Sequence, residues 1–180
     1  GNGHIELDAR FIDAMRGVLR HPELDAAFKE LVLTLPSEAY VAEQVDVVDP
    51  QRIHTAREGI KLQLAQALHA DWDWAYEAHH DSGAYSPDAV SSGRRALANL
   101  ALGMLVLDAQ VRHNQVWPGK ALQRFKDATN MTDRLGALAA LVNAHSDLAA
   151  GALERFHAQF KNEALVIDKW FTLQVTAPEY

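Results

Sequence analysis

The chain has 180 residues, of which 48% are hydrophobic and 23% charged, and these are ordinary values for a globular protein. It contains no cysteine, which excludes a disulfide framework, a thiolate metal site and a cysteine nucleophile. Its formal net charge of −7 repels phosphate, so the composition disfavours nucleic acids and anionic membrane surfaces as partners.

Apolar residues at spacings of three and four predict helices in the first third of the chain. The first helix is interrupted at His21-Pro22, because the residue before a proline avoids the helical region. A second helix follows, and Ser37 is the predicted N-cap of a short third helix. Asp49-Pro50 then predicts the start of a long helix, with an acidic cap and a proline in the first turn.

The middle of the chain begins with its clearest loop, residues 82–87, whose proline is predicted to open a helix. Residues 96–105 of that helix are apolar on nearly every side, which predicts that other helices surround them. Residues 120–128 are predicted to form a shorter helix. Asn130 is the predicted N-cap of the next helix, with Asp133 placed in its first turn.

Two more helices are predicted near the end of the chain. Ser146 or Asp147 caps the first of them, and the second runs from Glu163 to about Val175. No segment shows the alternation of a strand over a useful length, and the best candidate, residues 45–48, is only four residues long. The pattern therefore predicts helices alone.

The predicted fold is all-α, an irregular α-solenoid of about eight to ten antiparallel helices in a single domain over residues 1–180. No apolar run approaches the ~18 residues of a membrane span. The N-terminus is polar and acidic, unlike a signal peptide, and the lack of cysteine fits the cytoplasmic location that we expect. Residues 1–3 have the composition of a cloning remnant.

Nine histidines raise the question of a metal site. No histidine is followed by glutamate, so the zincin motif His-Glu-x-x-His is absent. No phosphate-binding loop and no Gly-x-Ser-x-Gly nucleophile elbow is present either. We therefore assign no catalytic, cofactor-binding or metal-binding residue to this chain.

The pattern Glu-x-x-His occurs twice, and it places a carboxylate and an imidazole on one face of a helix. Di-iron carboxylate bundles use two such motifs and one glutamate from each of two further helices. The candidate ligand set would be Glu77, His80, Glu154, His157, Glu58 and Glu163. Common residues at this spacing also arise by chance, and we favour exposed polar helix positions over a di-iron site.

Two other polar groupings have simple structural interpretations. His54 and Glu58 are four residues apart and are predicted to pair on a helix surface. The segment Asp71-Trp72-Asp73-Trp74 offers two indoles beside two carboxylates. We expect these indoles to pack on neighbouring helices, and a carbohydrate or peptide platform is the alternative.

Two sequence blocks carry a family resemblance. Asn130-Met131-Thr132-Asp133 is followed, about thirty residues on, by residues 165–174, which read Leu-Val-Ile-Asp-Lys-Trp-Phe-Thr-Leu-Gln. In this order and at this separation they resemble the C-terminal helical domain of bacterial alanyl aminopeptidases (the aminopeptidase N family), which are gluzincin zinc enzymes. Supporting similarities lie earlier in the chain, at residues 34–38 and 47–58.

The resemblance implies that this chain is the first, larger part of a helical domain that walls the active-site cavity and limits substrate access. The zinc and the catalytic groups would lie in another domain of the parent protein, so the chain alone would be inactive. The family's Gly-Ala-Met-Glu-Asn segment, which holds the N-terminus of the substrate, is absent here. The implied partners are the remaining domains and peptide substrates.

Two alternatives remain open from the sequence: a stand-alone helical scaffold that binds a protein partner, and the di-iron bundle. The first interpretation makes a physical prediction that a complete scaffold does not share. If further helices follow in the parent protein, the last helix here, with Trp170 and Phe171, should have a poorly covered apolar face.

Overall fold

The computed structural model describes residues 6–34, 49–81 and 83–178. These residues form helices and no strand, which confirms the predicted all-α class. The nine helices of this part of the chain are α1 (Ala9–Arg20), α2 (Ala26–Thr34), α3 (Pro50–Ala67), α4 (His69–His79), α5 (Ala89–Val111), α6 (Val116–Asp127), α7 (Met131–Asn143), α8 (Ala149–Phe160) and α9 (Ala164–Val175).

The helices stack in two layers, as expected for an irregular solenoid. Helices α3, α5 and α7 lie side by side in one layer, and α9 contacts α7. Helices α4, α6 and α8 connect them along the chain and pack against the same neighbours from the other layer. Helices α1 and α2 close the N-terminal end, where α2 packs on α5 and α1 packs on α4.

Helix α5 is the centre of this packing and contacts α2, α3, α4, α6 and α7. The prediction that its later half is surrounded by other helices is confirmed. Its fully buried side chains include Leu97, Ala98, Ala101, Leu102 and Leu105. A helix that is apolar on most sides gains free energy when neighbours cover it, and five helices cover most of the surface of α5.

Side-chain caps fix the starts of several helices. Asn130 Oδ1 accepts a hydrogen bond from the backbone N–H of Asp133 at 2.8 Å, as the sequence predicts. Asp49 Oδ1 accepts one from the N–H of Gln51 at 3.0 Å, which confirms the second predicted cap. These bonds satisfy backbone donors that have no partner inside the helix.

Two predicted helix boundaries are wrong. Helix α5 begins at Ala89, two residues after the proline that was predicted to open it, because Asp88 is its N-cap and accepts a hydrogen bond from the N–H of Ser91. Helix α6 begins at Val116, four residues before the predicted start. Its first turn starts after Asn114, whose Oδ1 accepts from the N–H of Val116.

The caps proposed for α8 are also wrong. That helix begins at Ala149, and Ser146 instead accepts a hydrogen bond from the N–H of Leu148 in the preceding turn. The helix predicted after Ser37 and the short strand candidate at residues 45–48 both lie outside the described residues.

Helix α9 differs from the others because it contains no buried residue. Leu165, Phe171 and Val175 expose most of their apolar surface to solvent. The predicted poorly covered face of the last helix is therefore confirmed. In the described part of the chain, no helix combines the length and the apolar character needed to cross a membrane.

Candidate functional site

A group of buried and half-buried polar side chains surrounds Asp133, at the start of α7. Asp133 is only 5% exposed, and its carboxylate accepts hydrogen bonds from Asn130 Nδ2 at 2.9 Å and Asn99 Nδ2 at 3.4 Å. Arg124 Nη2 lies 3.2 Å from Asp133 Oδ2, an ion pair that lacks the alignment of a hydrogen bond. We call Asn99, Arg124, Asn130 and Asp133 the Asp133 centre.

A glycine makes the Asp133 centre possible. The side-chain amide of Asn99 packs flat against Gly136 of α7, so that a Cβ on Gly136 would lie 2.5 Å from Asn99 Cγ. No other residue permits this approach between α5 and α7 without movement of Asn99. The sequence block that carries the family resemblance therefore has a structural role, joining α5, α6 and α7 through one carboxylate.

Beside the Asp133 centre lies an open pocket of about 460 Å³ between α4, α6 and the start of α7. Burial raises the pKa of Tyr76 in this pocket, while the nearby positive charge of Arg124 partly offsets that effect. Tyr76 therefore stays protonated at neutral pH and cannot serve as a base. The pocket is lined by both acids and bases, among them Glu77, His80, Lys120, Arg124 and Asp127.

The structure does not assemble the six candidate di-iron ligands. Glu77 Oε2 and His80 Nε2 lie 3.3 Å apart at the rim of this pocket. Glu154 and His157 are exposed on α8, where the ring of His157 packs 5.0 Å from that of Trp170. Among the residues that the structure describes, no group of three or more histidines and carboxylates could hold a metal ion.

The segment 71–74 also has a structural role. Trp72 is fully buried and donates its Nε1–H to the carbonyl of Leu64 at 3.1 Å, as expected for an indole packed on a neighbouring helix. Trp74 is partly exposed, but the Arg20 guanidinium covers its ring at 4.4 Å. The platform alternative is therefore not favoured.

Asp71 of the same segment ties α1 to α4. Its carboxylate accepts from Arg16 Nε at 3.1 Å and from Arg20 Nε at 2.9 Å. The hydrogen bond from Asp71 raises the pKa of Arg16, because the carboxylate favours the charged guanidinium. This ion-pair group stabilises the packing of two helices and offers no reactive atom.

Sequence analysis missed one deeply buried acid. Asp108 of α5 is 1% exposed and lies 2.9 Å from His69 Nδ1 and 2.8 Å from Arg112 Nε. Its spacing from Arg112 is that of an ordinary exposed helix pair, so only the packing of α4 on α5 shows that it is buried. Arg124 was missed for the same reason, since nothing in its local sequence predicts burial.

A second concavity lies on the other layer of the solenoid. A groove of about 220 Å³ runs between α3, α5 and α7, and we call it the inner groove. It is lined by Glu58, Lys61, Asn99, Leu100, Gly103, Met104, Leu107, Gly136, Ala139, Ala140, Asn143 and Ala144. A wider groove of about 470 Å³ adjoins it between α3 and the end of α9, and Glu58 lines both.

The predicted pair between His54 and Glu58 is wrong. No ion pair joins these two side chains in the described structure, and both instead line the wider groove. Glu58 is thus the one predicted site candidate that the structure places in a concavity shared by two grooves.

Known proteins that are similar to this chain are much longer than it is. Aminopeptidase N of Caulobacter vibrioides is 34% identical over 174 residues, which cover 95% of this chain and 19% of that protein. Aminopeptidase N of Escherichia coli is 33% identical over 174 residues, with 97% and 19% covered. The chain therefore spans 19% of the length of these relatives.

A solved structure and a family model match the same part of the chain as these relatives do. The aminopeptidase A of Legionella pneumophila, solved in complex with aspartic acid, matches with a TM-score of 0.75 and 25% identity. The match covers 97% of this chain and 21% of that one. Residues 2–180 match the family model described as a domain of unknown function with ARM repeats. The resemblance seen in the sequence is confirmed, and the chain belongs to this family of ARM-repeat domains, DUF3458_C.

Proposed function

We propose that this chain is the non-catalytic helical segment of a zinc-dependent aminopeptidase that removes N-terminal residues from peptides. The observation that carries the proposal is the similarity over almost the whole chain to aminopeptidases about five times as long. In a protein of that length, the remaining four fifths of the chain can contain a separate catalytic domain. The lack of cysteine fits a cytoplasmic enzyme.

The zinc of such an enzyme would be bound outside this segment. Its usual ligand motif places two histidines one helical turn apart, and no histidine in this chain is followed by glutamate. Zinc activates the attacking water in that chemistry, and the groups found here are suited to other tasks. The Asp133 centre and the Asp71 ion pairs both hold helices together.

The segment would wall the cavity in which peptides reach the zinc. The helices of a layered array support one another, because each packs on its neighbours along the stack. The uncovered apolar face of α9 offers a surface on which further parts of the same protein can pack. Such a wall admits short or unfolded peptide ends and excludes folded chains.

Two assays test the proposal. The 180-residue chain, with and without added zinc, should release no product from alanyl-4-nitroanilide, whereas the longer protein that contains it should be active. The longer protein should also cleave an unstructured ten-residue peptide much faster than a folded protein with an exposed N-terminal alanine. Turnover by the chain alone would contradict the non-catalytic role, and equal rates on both substrates would contradict the wall.

A further inference from the structure

Helix α9 is attached to the rest of the molecule by few contacts. It contains no buried residue, and it packs mainly on α8 and α7. Near its middle, Trp170 donates its Nε1–H to the Leu153 carbonyl of α8 at 3.0 Å. A helix attached in this way opens at low cost unless its ends are held as well.

The chain directly after α9 is buried, in contrast to the helix itself. Pro178 is buried, and its carbonyl oxygen lies 2.5 Å from His145 Nε2. Because a carbonyl oxygen can only accept a hydrogen bond, Nε2 carries the proton and donates it. Both the neutral and the charged imidazole can do so, and the bond therefore does not require a change of charge at His145.

His145 has a backbone conformation that favours glycine. It follows α7 with a φ of 53°, in the left-handed region. Its N–H donates to the Val142 carbonyl, and the N–H of Ser146 donates to the Leu141 carbonyl, which is the bond pattern of a Schellman motif. Any side chain at this position costs free energy that glycine would avoid, and a strained residue of this kind points to a role for its side chain.

The end of α5 provides an internal comparison. His113 occupies the same position of a Schellman motif with a φ of 55°, and the N–H of Asn114 donates to the Ala109 carbonyl there. The side chain of His113 makes no hydrogen bond, ion pair or ring contact within the described part of the chain. The two histidines share one backbone conformation, and of the two only His145 reaches a distant element.

The end of α9 is also one wall of the wider groove. Val175, Thr176 and Ala177 line this groove from one side, and residues of α3 that include Thr55 line it from the other. Pro178 directly follows the three wall residues. A shift of the end of α9 therefore changes the width of the groove.

We propose that the side chain of His145 anchors the end of α9 and thereby fixes one wall of the wider groove. The anchor joins the turn after α7 to a residue 33 positions further along the chain. It adds a polar attachment at the end of α9 to the one that Trp170 makes near its middle. Without it, the last turn of α9 opens while the packed centre around α5 stays folded.

Amide hydrogen exchange of the ¹⁵N-labelled 180-residue chain, followed by NMR, tests the anchor. His145→Gly should speed exchange at Gln174, Val175 and Thr176 by about three- to tenfold, because one hydrogen bond of ordinary net strength is lost. The amide of Leu102, in the buried part of α5, should exchange at a similar rate as before. Relief of the left-handed strain offsets the lost bond in global unfolding.

Other variants separate the loss of the contact from the change of backbone. His113→Gly makes the same change at the same position of a Schellman motif, removes no contact, and should leave the exchange of α9 unaltered. His145→Gln places an amide N–H near the position of Nε2 and should keep most of the protection. His145→Asn is tolerated in the left-handed region but its side chain is shorter, so it should lose protection as glycine does.

A second measurement reports on the groove itself. The chain has no cysteine, so spin labels can be attached through Thr55→Cys and Val175→Cys on its opposite walls. Electron paramagnetic resonance then gives the distribution of distances between the two labels. We expect a broader distribution when His145→Gly is added than in the doubly labelled chain that keeps His145.

Several results would overturn the inference. These are unchanged exchange at the end of α9 in both His145→Gly and His145→Asn, or equal acceleration there in His113→Gly. Equal label distributions with and without His145 would show that the contact does not fix the wall. Faster exchange of Leu102 to the same extent as Thr176 would mean that His145 stabilises the whole fold. None of these results bears on the zinc-dependent activity of the longer protein, which has its own assays.

Discussion

Two tryptophans in different regions of the molecule make the same hydrogen bond in very different surroundings. Trp72 of α4 donates its Nε1–H to the Leu64 carbonyl at 3.1 Å, and Trp170 of α9 donates to the Leu153 carbonyl at 3.0 Å. Trp72 is 0% exposed, whereas Trp170 belongs to a helix without a single buried residue.

The comparison shows where the fold draws its stability. Net hydrogen-bond energies are modest and similar at the two sites, but the apolar area removed from water differs greatly. Helix α5 packs against five other helices, while α9 packs mainly on α8 and α7. We expect the centre to unfold as one cooperative unit and α9 to open at lower cost.

The largest expected effect comes from truncating each tryptophan in turn. Trp72→Ala should lower the free energy of unfolding by about 3–5 kcal/mol, because it leaves a cavity in a tightly packed centre. Trp170→Ala should cost about 1–2 kcal/mol, since part of the indole is already in water. Urea unfolding followed by circular dichroism measures both, and equal losses would contradict the contrast between the regions.

The second effect concerns two carboxylates, each paired with arginine. Asp133→Ala should cost about 3 kcal/mol, because it leaves the largely buried Arg124 without its counter-charge. Asp71→Ala should cost less, because Arg16 and Arg20 are about 40% exposed and water can replace the carboxylate. The same urea titration ranks the two variants. A larger loss of unfolding free energy in Asp71→Ala would show that burial of the paired arginine does not decide the loss.

The third effect is a pH dependence that arises in the central region. Burial lowers the pKa of His79, and the positive charges of Arg94 and Lys29 lower it further. A hydrogen bond to the Ala75 carbonyl raises the pKa and offsets part of this effect. The unfolded chain therefore takes up a proton at higher pH than the folded one. Stability should fall as the pH drops below about 6.5, the ordinary histidine pKa, towards the folded value.

Melting temperatures at pH 7.5 and 5.0 test this dependence. The drop between the two should be smaller in His79→Gln than in the unchanged chain. His157→Gln on α8 serves as a control for the loss of any one histidine. An unchanged drop in His79→Gln would show that other groups cause the acid sensitivity.

The smallest effect on stability is expected on the outer face of α9. Phe171 is 56% exposed and Val175 is 82% exposed, so replacing both with serine should change the free energy of unfolding by less than about 0.5 kcal/mol per site. Self-association at high concentration should decrease, because a contiguous apolar face is removed. Sedimentation velocity measures the association, and a large loss of stability would mean that this face is packed in solution.

Sequence reasoning succeeded where the signal is local. The caps at Asn130 and Asp49 depend on residue types within the first turn of one helix, and the structure confirms both. The all-α class follows from the same kind of signal, whereas the exposed face of the last helix was expected from the family resemblance.

The same reasoning failed where the outcome depends on a neighbouring helix. Arg124 and Asp108 look like ordinary surface residues until α6 meets α7 and α4 meets α5. The start of α6 was misplaced at residue 120 because Pro118 and Gly119, which are common in turns, lie in the first turn of this helix. Proline is tolerated in a first turn, where its missing N–H would have no partner.

The contact between Gly136 and Asn99 constrains how this surface can change over time. A Cβ at position 136 would overlap the Asn99 amide, so replacing the glycine requires that this amide moves or that position 99 changes to a smaller residue. The two positions are 37 apart in the sequence, yet substitutions at one are coupled to substitutions at the other. In a collection of relatives, we expect their identities to covary.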